Sequence, residues 1–227
     1  MKNKAIILLS GGLDSAVSLA VSKDKDFKLA LTFDYGQKAF NKEYEASKNI
    51  ADFYNIRHEC IKLDWLKNIT SSSLVSADSV PDIGIESLDD LAVTDDSMKS
   101  VWVPNRNGVF INIAACYADS YEYDYIVIGA NKEEAATFSD NSKKFISDMN
   151  QVLKTSTNHD ISVSAPLIDF DKNQIVKMAV EHKVPLNLIN SCYNNTQKHC
   201  GKCESCSRLK RALAHNGYLN IIEELFE

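Results

Sequence analysis

A chain of 227 residues is long enough to bury one sizeable core and does not require a second full domain. Its 44% hydrophobic and 9% aromatic residues are those of an ordinary globular protein, which excludes a disordered or fibrous class. A formal net charge of -6 argues against a surface that grips nucleic acid throughout and leaves room only for a local basic patch.

Met1 to Lys4 followed by Ala5-Ile6-Ile7-Leu8-Leu9 is too short an apolar run for a secretory signal or a membrane span, so a cytoplasmic protein is expected. The run reads as a buried strand. It leads into Ser10-Gly11-Gly12-Leu13-Asp14-Ser15, and Ala16-Val17-Ser18-Leu19-Ala20-Val21 continues as a helix. Paired glycines let the backbone turn sharply, and the helix adds its unpaired N–H groups and positive dipole end, which together make an anion cradle. The Gly-Lys-Ser/Thr of a Walker loop is absent, so the cradle has no lysine of its own. A tight turn capped by a serine is the alternative reading of the same six residues.

The apolar run Lys28 to Phe33 ends in Asp34-Tyr35-Gly36-Gln37, and polar groups beyond a short buried strand suit a ligand crevice. Helical spacing over Glu43 to Tyr54 and a weak strand over 58–63 complete an alternation of strands and helices. That alternation predicts an α/β fold with a doubly wound, mainly parallel sheet. From Lys67 to Ser100 no period is sustained, and the segment reads as a lid or a solvated insertion. Val101 to Asn107 then leads into a helix ending near Tyr121, followed by the strand Tyr125 to Gly129 and the polar Ala130-Asn131-Lys132-Glu133-Glu134. Thr137 to Ser142 precedes a helix carrying Phe145, Ile146, Met149 and Leu153. Ile161 to Ile168 is the last strand candidate, and Asp171-Lys172-Asn173-Gln174 reads as a capping-box variant opening a helix over 172–182.

Four of the six cysteines, Cys192, Cys200, Cys203 and Cys206, are spaced C-x7-C-x2-C-x2-C. Two residues between cysteines let a turn aim both sulfurs at one ion, and a distant fourth thiolate closes a tetrahedron with no open position, the pattern of structural zinc. An iron–sulfur cluster is the competing reading, but the fourth cysteine and proline of a ferredoxin run do not follow Cys206. His199 and His215 read as surface histidines, and Cys60 and Cys116 as buried inert thiols. The chain divides into an α/β domain over 1–185, with 67–100 inserted, and a four-cysteine helical segment over 186–227.

The segments Ser10–Ser15, Asp34–Gln37, Val103-Pro104-Asn105-Arg106-Asn107, Pro166-Leu167 with Lys172, and Ser191-Cys192-Tyr193 through Cys200–Cys206 together resemble the 7-cyano-7-deazaguanine synthase (QueC) family, whose glycine loop is that of the ATP-pyrophosphatases. The chain departs from many bacterial members at Thr137–Ser142, where they carry Tyr-Pro-Asp-Cys-Arg, and at Ala39, where they carry His. The resemblance implies an adenine nucleotide α-hydrolase-like fold with a zinc knuckle and a homodimer. It also implies an ATP-dependent ligase that takes 7-carboxy-7-deazaguanine and ammonia, small molecules, with no direct nucleic acid and no membrane. The nucleotide would lie on Leu9, Ser10, Gly11, Gly12, Leu13, Asp14, Ser15, Ala16, Val17, Ser18 and Leu19. Asp14 would act through Mg²⁺ or cap the helix, and Arg106 and Lys172 would neutralise phosphate charge or form structural ion pairs. Tyr35 and Gln37 would meet the substrate, with Asp140 the first acceptor for the guanine-like edge, Glu133 or Glu134 the second, and Phe138 a stacking surface. A tRNA-modifying ATP-pyrophosphatase and a non-catalytic nucleotide-binding module are the alternatives.

Overall fold

A computed structural model describes residues 3–227. The chain runs β1 (Asn3–Leu8), α1 (Leu13–Val21), β2 (Lys25–Asp34), α2 (Phe40–Phe53), β3 (Arg57–Lys62), α3 (Asp64–Ile69), α4 (Leu91–Val101), α5 (Arg106–Tyr121), β4 (Tyr125–Val127), α6 (Lys132–Thr137), α7 (Lys143–Ser156), β5 (Ser162–Ser164), α8 (Lys172–Glu181), α9 (Glu204–His215) and α10 (Leu219–Leu225). Five parallel strands lie in the order β3-β2-β1-β4-β5, so the winding reverses between β1 and β4. Helices on both faces leave β1 no solvent side, and Ala5, Ile6, Ile7 and Leu8 are all buried. That is why its sequence is a continuous apolar run rather than an alternation. Register pairs Leu8 with Leu31 of β2 and Ile7 with Val127 of β4, so the ends of these strands, and the loops that follow, come together at the reversal.

The expected α/β sheet is present, and the differences are local. The strand expected over Ile161 to Ile168 shrinks to Ser162–Ser164 at the sheet edge. Within 67–100, where no period was legible, α4 forms on Asp90, whose carboxylate accepts the Ala92 and Val93 N–H groups. Its buried positions include Thr94, Ser97 and Val101, a helical spacing written partly in polar residues and so invisible to apolar periodicity. The segment is tied down: Ser73 N–H donates to the Ser100 carbonyl at 2.8 Å, Ile83 N–H to Lys202 at 2.8 Å, and the Ser207 hydroxyl to Ile83 at 2.6 Å. Residues of α9 and α10 join the same hydrophobic core as the sheet. Cys116 is exposed, not buried, because it falls on the outer side of α5 while Ala114, Ala115 and Ala118 face in. His199 is buried, not a surface residue, with a tilted ring contact to Phe226.

Candidate active site

The loop after β1 turns at Gly11, whose φ is +81°. A Cβ there would lie 2.7 Å from the Glu43 carbonyl oxygen and 2.8 Å from both Ala46 Cβ and Ser47 N, so backbone freedom and close approach to α2 both demand glycine. Gly129, just beyond β4, would place a Cβ 2.8 Å from Ser15 N. These two glycines let the start of α1 settle at the winding reversal. No side chain caps α1 through its N-cap, Gly12. Gly12 N–H is 3.3 Å from Ser10 Oγ, the Ser15 hydroxyl donates to the Gly12 carbonyl at 3.1 Å, and Leu13 N–H donates to Ser191 Oγ at 3.2 Å. Three hydroxyls therefore surround the first turn of the helix.

Asp14 does not cap the helix. Its carboxylate takes both bonds from the Lys172 ammonium, at 2.9 and 2.7 Å, with Glu134 Oε1 3.7 Å from the same nitrogen. Burial pushes the Asp14 carboxyl up from 3.8 to about 6, with Lys172 pulling it back. Burial works against the Lys172 ammonium, but Asp14 and Glu134 outweigh it and raise its hold on the proton. The pair is ionised at neutral pH. Lys172 stands at the first position of α8, set by the capping box of Asp171 and Gln174 that the sequence announced. The pair joins residues 158 positions apart in the chain.

A cavity of about 210 Å³ opens over the loop, lined among others by Ser10, Gly12, Asp14, Ser15, Tyr35, Gln37, Arg106 and Glu134. Leu9 also lines it. Arg106 Nη1 donates to the Tyr35 hydroxyl at 3.3 Å, and among the described residues no carboxylate comes within ion-pair distance of its guanidinium. Burial opposes its charge, but Tyr35 and Asp140 together hold the proton more firmly than usual. Gln37 accepts from Tyr35 N–H and donates to Glu43 at 2.8 Å, which fixes this rim.

Other sequence-derived candidates lie behind the wall. Asp140 is buried, its carboxyl raised by desolvation, and accepts the Asn107 N–H at 3.4 Å. Glu133 receives the Lys172 backbone N–H at 2.8 Å and Arg208 Nη1 at 2.9 Å, so its carboxylate is spent on structure. Phe138 stacks on Trp102, with ring centroids 6.3 Å apart. Gly11, Leu13, Ala16, Val17, Ser18 and Leu19 shape α1 without lining the cavity, and Lys172 acts from beneath Asp14. Asn190, Ser191, Tyr193 and Ser205 do line it, and sequence reasoning passed over them. They flank cysteines, and nothing in local composition tells which side of a metal knuckle faces a cavity.

The sulfurs of Cys192, Cys200, Cys203 and Cys206 all lie within 4.8 Å of one another. Such proximity suits four ligands around one ion, whereas a multi-iron cluster would hold them further apart. Asn194 N–H points at Cys192 Sγ at 3.3 Å and Cys203 N–H at Cys200 Sγ at 3.4 Å, the amide support that thiolates need. Hydrogen bonds from the Cys203 and Cys206 thiols hold the Cys192 thiol well below its ordinary range. The donor set thus fits a structural zinc ion. Next to it, Arg208 joins Glu204 at 2.8 Å and Glu133 at 2.9 Å, and Ser97 of α4 donates to Glu204 at 2.6 Å.

Residues 4–217 match the family model described as queuosine biosynthesis protein QueC. A 7-cyano-7-deazaguanine synthase of Carboxydothermus hydrogenoformans is 51% identical over 214 residues, covering 94% of this chain and 99% of that protein. Another, from Methanosarcina barkeri, is 47% identical over 219 residues, covering 94% and 95%. Among solved structures, NMN synthetase from Francisella tularensis aligns over 97% of this chain and 86% of that one, at 15% identity and a TM-score of 0.47. Because the match runs from β1 through the glycine loop and the reversal to the turn after α9, and takes in all four clustered cysteines, the chain belongs to the QueC family of queuosine biosynthesis proteins.

Proposed function

We propose that this protein is a 7-cyano-7-deazaguanine synthase, converting 7-carboxy-7-deazaguanine and ammonia to the nitrile at the expense of ATP. The observation that carries the reading is the glycine loop at the winding reversal, ringed by hydroxyls and facing across one cavity an arginine that has no carboxylate within ion-pair distance among the described residues. Such a site suits the anionic groups of substrate and nucleotide.

A carboxylate is a poor electrophile, being negative and having a poor leaving group. Attack of its oxygen on the α-phosphorus of ATP expels pyrophosphate and gives an acyl adenylate. Ammonia adds to the acyl carbon, AMP leaves and a proton is lost, giving the amide. The amide oxygen attacks a second ATP in the same way, and loss of the remaining N–H protons with AMP yields the nitrile. In both rounds Ser10, Gly12 and Ser15 bind the departing pyrophosphate, while Arg106 offsets charge on the reacting phosphate or carboxylate. Asp14 would hold Mg²⁺, which supplies neutralisation of phosphate charge, and Lys172 keeps Asp14 ionised and in place. Glu134, which lines the cavity where Asp140 does not, is the acceptor for the guanine-like edge, with Asp140 acting through Asn107 and Arg106 and with Tyr35 and Gln37 at the rim. Phe138 supports that wall through Trp102. The four cysteines would hold zinc, which supplies a cross-link.

The reading carries with it a cytoplasmic homodimer that works on small molecules. Its support is the resemblance to the family, and the net charge of -6 agrees with small-molecule rather than nucleic-acid substrates. Incubation with ATP, Mg²⁺, ammonium and 7-carboxy-7-deazaguanine should yield AMP, pyrophosphate and the nitrile by mass spectrometry. Zinc-loaded protein that forms no AMP would overturn it. Light scattering of the purified protein tests the dimer.

A further inference from the structure

The cysteine segment does more than close the fold at one end, because its residues alternate between the metal cluster and the cavity. Ser191 and Tyr193 line the cavity while Cys192 between them turns its sulfur to the cluster. Ser205 lines the same cavity between Cys203 and Cys206. The segment is stitched to the glycine loop at two points, Asn190 N–H to the Gly11 carbonyl at 2.8 Å and Leu13 N–H to Ser191 Oγ at 3.2 Å.

Ser191 is held from behind as well. Its N–H donates to His199 Nε2 at 2.9 Å. The other ring nitrogen of His199 lies 3.2 Å from the Leu225 carbonyl, which places the imidazole proton on Nδ1 and leaves Nε2 as the acceptor. The Ser191 hydroxyl is therefore fixed in place and accepts from the helix start. Its own proton has no acceptor among the described residues. A Cβ built on Gly12 would lie 3.4 Å from Ser10 Oγ and 3.7 Å from Ser191 Oγ, so the two hydroxyls flank the bare backbone of Gly12 on the cavity side.

We propose that Ser191 is a phosphate-binding residue of the nucleotide site, taking the Leu13 amide and donating its own proton to the pyrophosphate portion of ATP. This rests on the ATP reading above. It makes the metal cluster a device that positions part of the active site, since Ser191 is the residue immediately before the ligand Cys192.

Titration calorimetry with α,β-methylene-ATP and with AMP tests it on the zinc-loaded protein, with zinc content and melting temperature measured alongside. Ser191→Ala should weaken α,β-methylene-ATP about tenfold, the value of a hydrogen bond to a charged group. AMP, which lacks the pyrophosphate, should bind as before, and Ser191→Thr should restore the affinity. Unchanged affinity for α,β-methylene-ATP in Ser191→Ala would overturn the assignment, and so would equal weakening of AMP, the mark of a merely structural role. If the alanine variant loses zinc, Ser191→Val against Ser191→Thr makes the same comparison at constant shape. Wild-type protein that binds neither nucleotide would instead defeat the ATP reading itself.

Discussion

Asp14 and Lys172 set the electrostatics of the loop residue by residue. The Asp14 carboxyl sits near 6 instead of 3.8 because it is buried, and Lys172 is what keeps it from rising further. Carbon-detected NMR of the nucleotide-free protein should therefore show one aspartate titrating near pH 6, and Lys172→Met should move that titration upward. The native state holds this proton more tightly than the unfolded chain does. Its contribution to stability is then fully present below about pH 4 and is lost as the pH rises through 6. The difference in unfolding free energy between wild type and Asp14→Asn should accordingly shrink by on the order of 2 kcal/mol between pH 4 and pH 6.5. At pH 7.5 Lys172→Met leaves a buried carboxylate unpaired and should cost about 3 kcal/mol in denaturant unfolding. ATP turnover should fall by about a hundredfold or more, since both the pairing and the preorganised charge are gone.

Two elements border the cavity and can be tested separately. Behind Gly11, α2 presents its Glu43 carbonyl and Ser47 amide too close for any Cβ. Gly11→Ala combines a left-handed backbone cost of about 1–2 kcal/mol with a direct clash. Its expected signature is a lowered melting temperature together with lost α,β-methylene-ATP binding. On the opposite side α9 holds α4 and α6 through Glu204 and Arg208, with Ser97 and Glu133 as their outer partners. Glu204→Gln keeps the shape and removes the charge that Arg208 faces. It should cost about 2 kcal/mol and speed hydrogen exchange of α4 and of Ile83, while exchange in β1 and β2 stays slow. Unchanged exchange in α4 would mean that this segment is anchored by its backbone bonds alone.

For the molecule as a whole, the cysteine cluster, the 67–100 segment and the glycine loop form one continuous set of contacts, through Cys203 paired with Asp82 and Ser191 bonded to Leu13. Removing a metal from four thiolates should therefore do more than lower stability. Chelation is expected to lower the melting temperature and abolish nucleotide binding together, with re-addition of zinc restoring both. Nucleotide binding at a hundred times its dissociation constant should in turn raise the unfolding free energy of the zinc-loaded protein by about 2.7 kcal/mol. A chelated protein that still binds α,β-methylene-ATP would show that the wall made by residues 190–193 stands without the metal.

The parts legible in the amino-acid order are those that local physics writes there. Buried parallel strands must be runs of apolar residues, so β1 and β2 were plain, and a turn with φ near +81° demands the glycine seen at position 11. Thiolates that share an ion must recur at short spacing, and a capping box must repeat its two partners three residues apart. Other features have no local signature. The polar buried face of α4 carries no apolar period, and Glu133 and Glu134, adjacent in sequence, part company on a helix, one to Arg208 and the other to the cavity. Asp14 and Lys172 are joined only because α8 returns to pack on α1, and Ser191 reaches Leu13 only because the cysteine cluster turns it there. Composition and spacing thus determined the sheet, the loop and which four cysteines come together. Which charges are neutralised, and which hydroxyls face the cavity, was decided by the tertiary structure, because such pairings depend on distances between segments that the chain order does not encode.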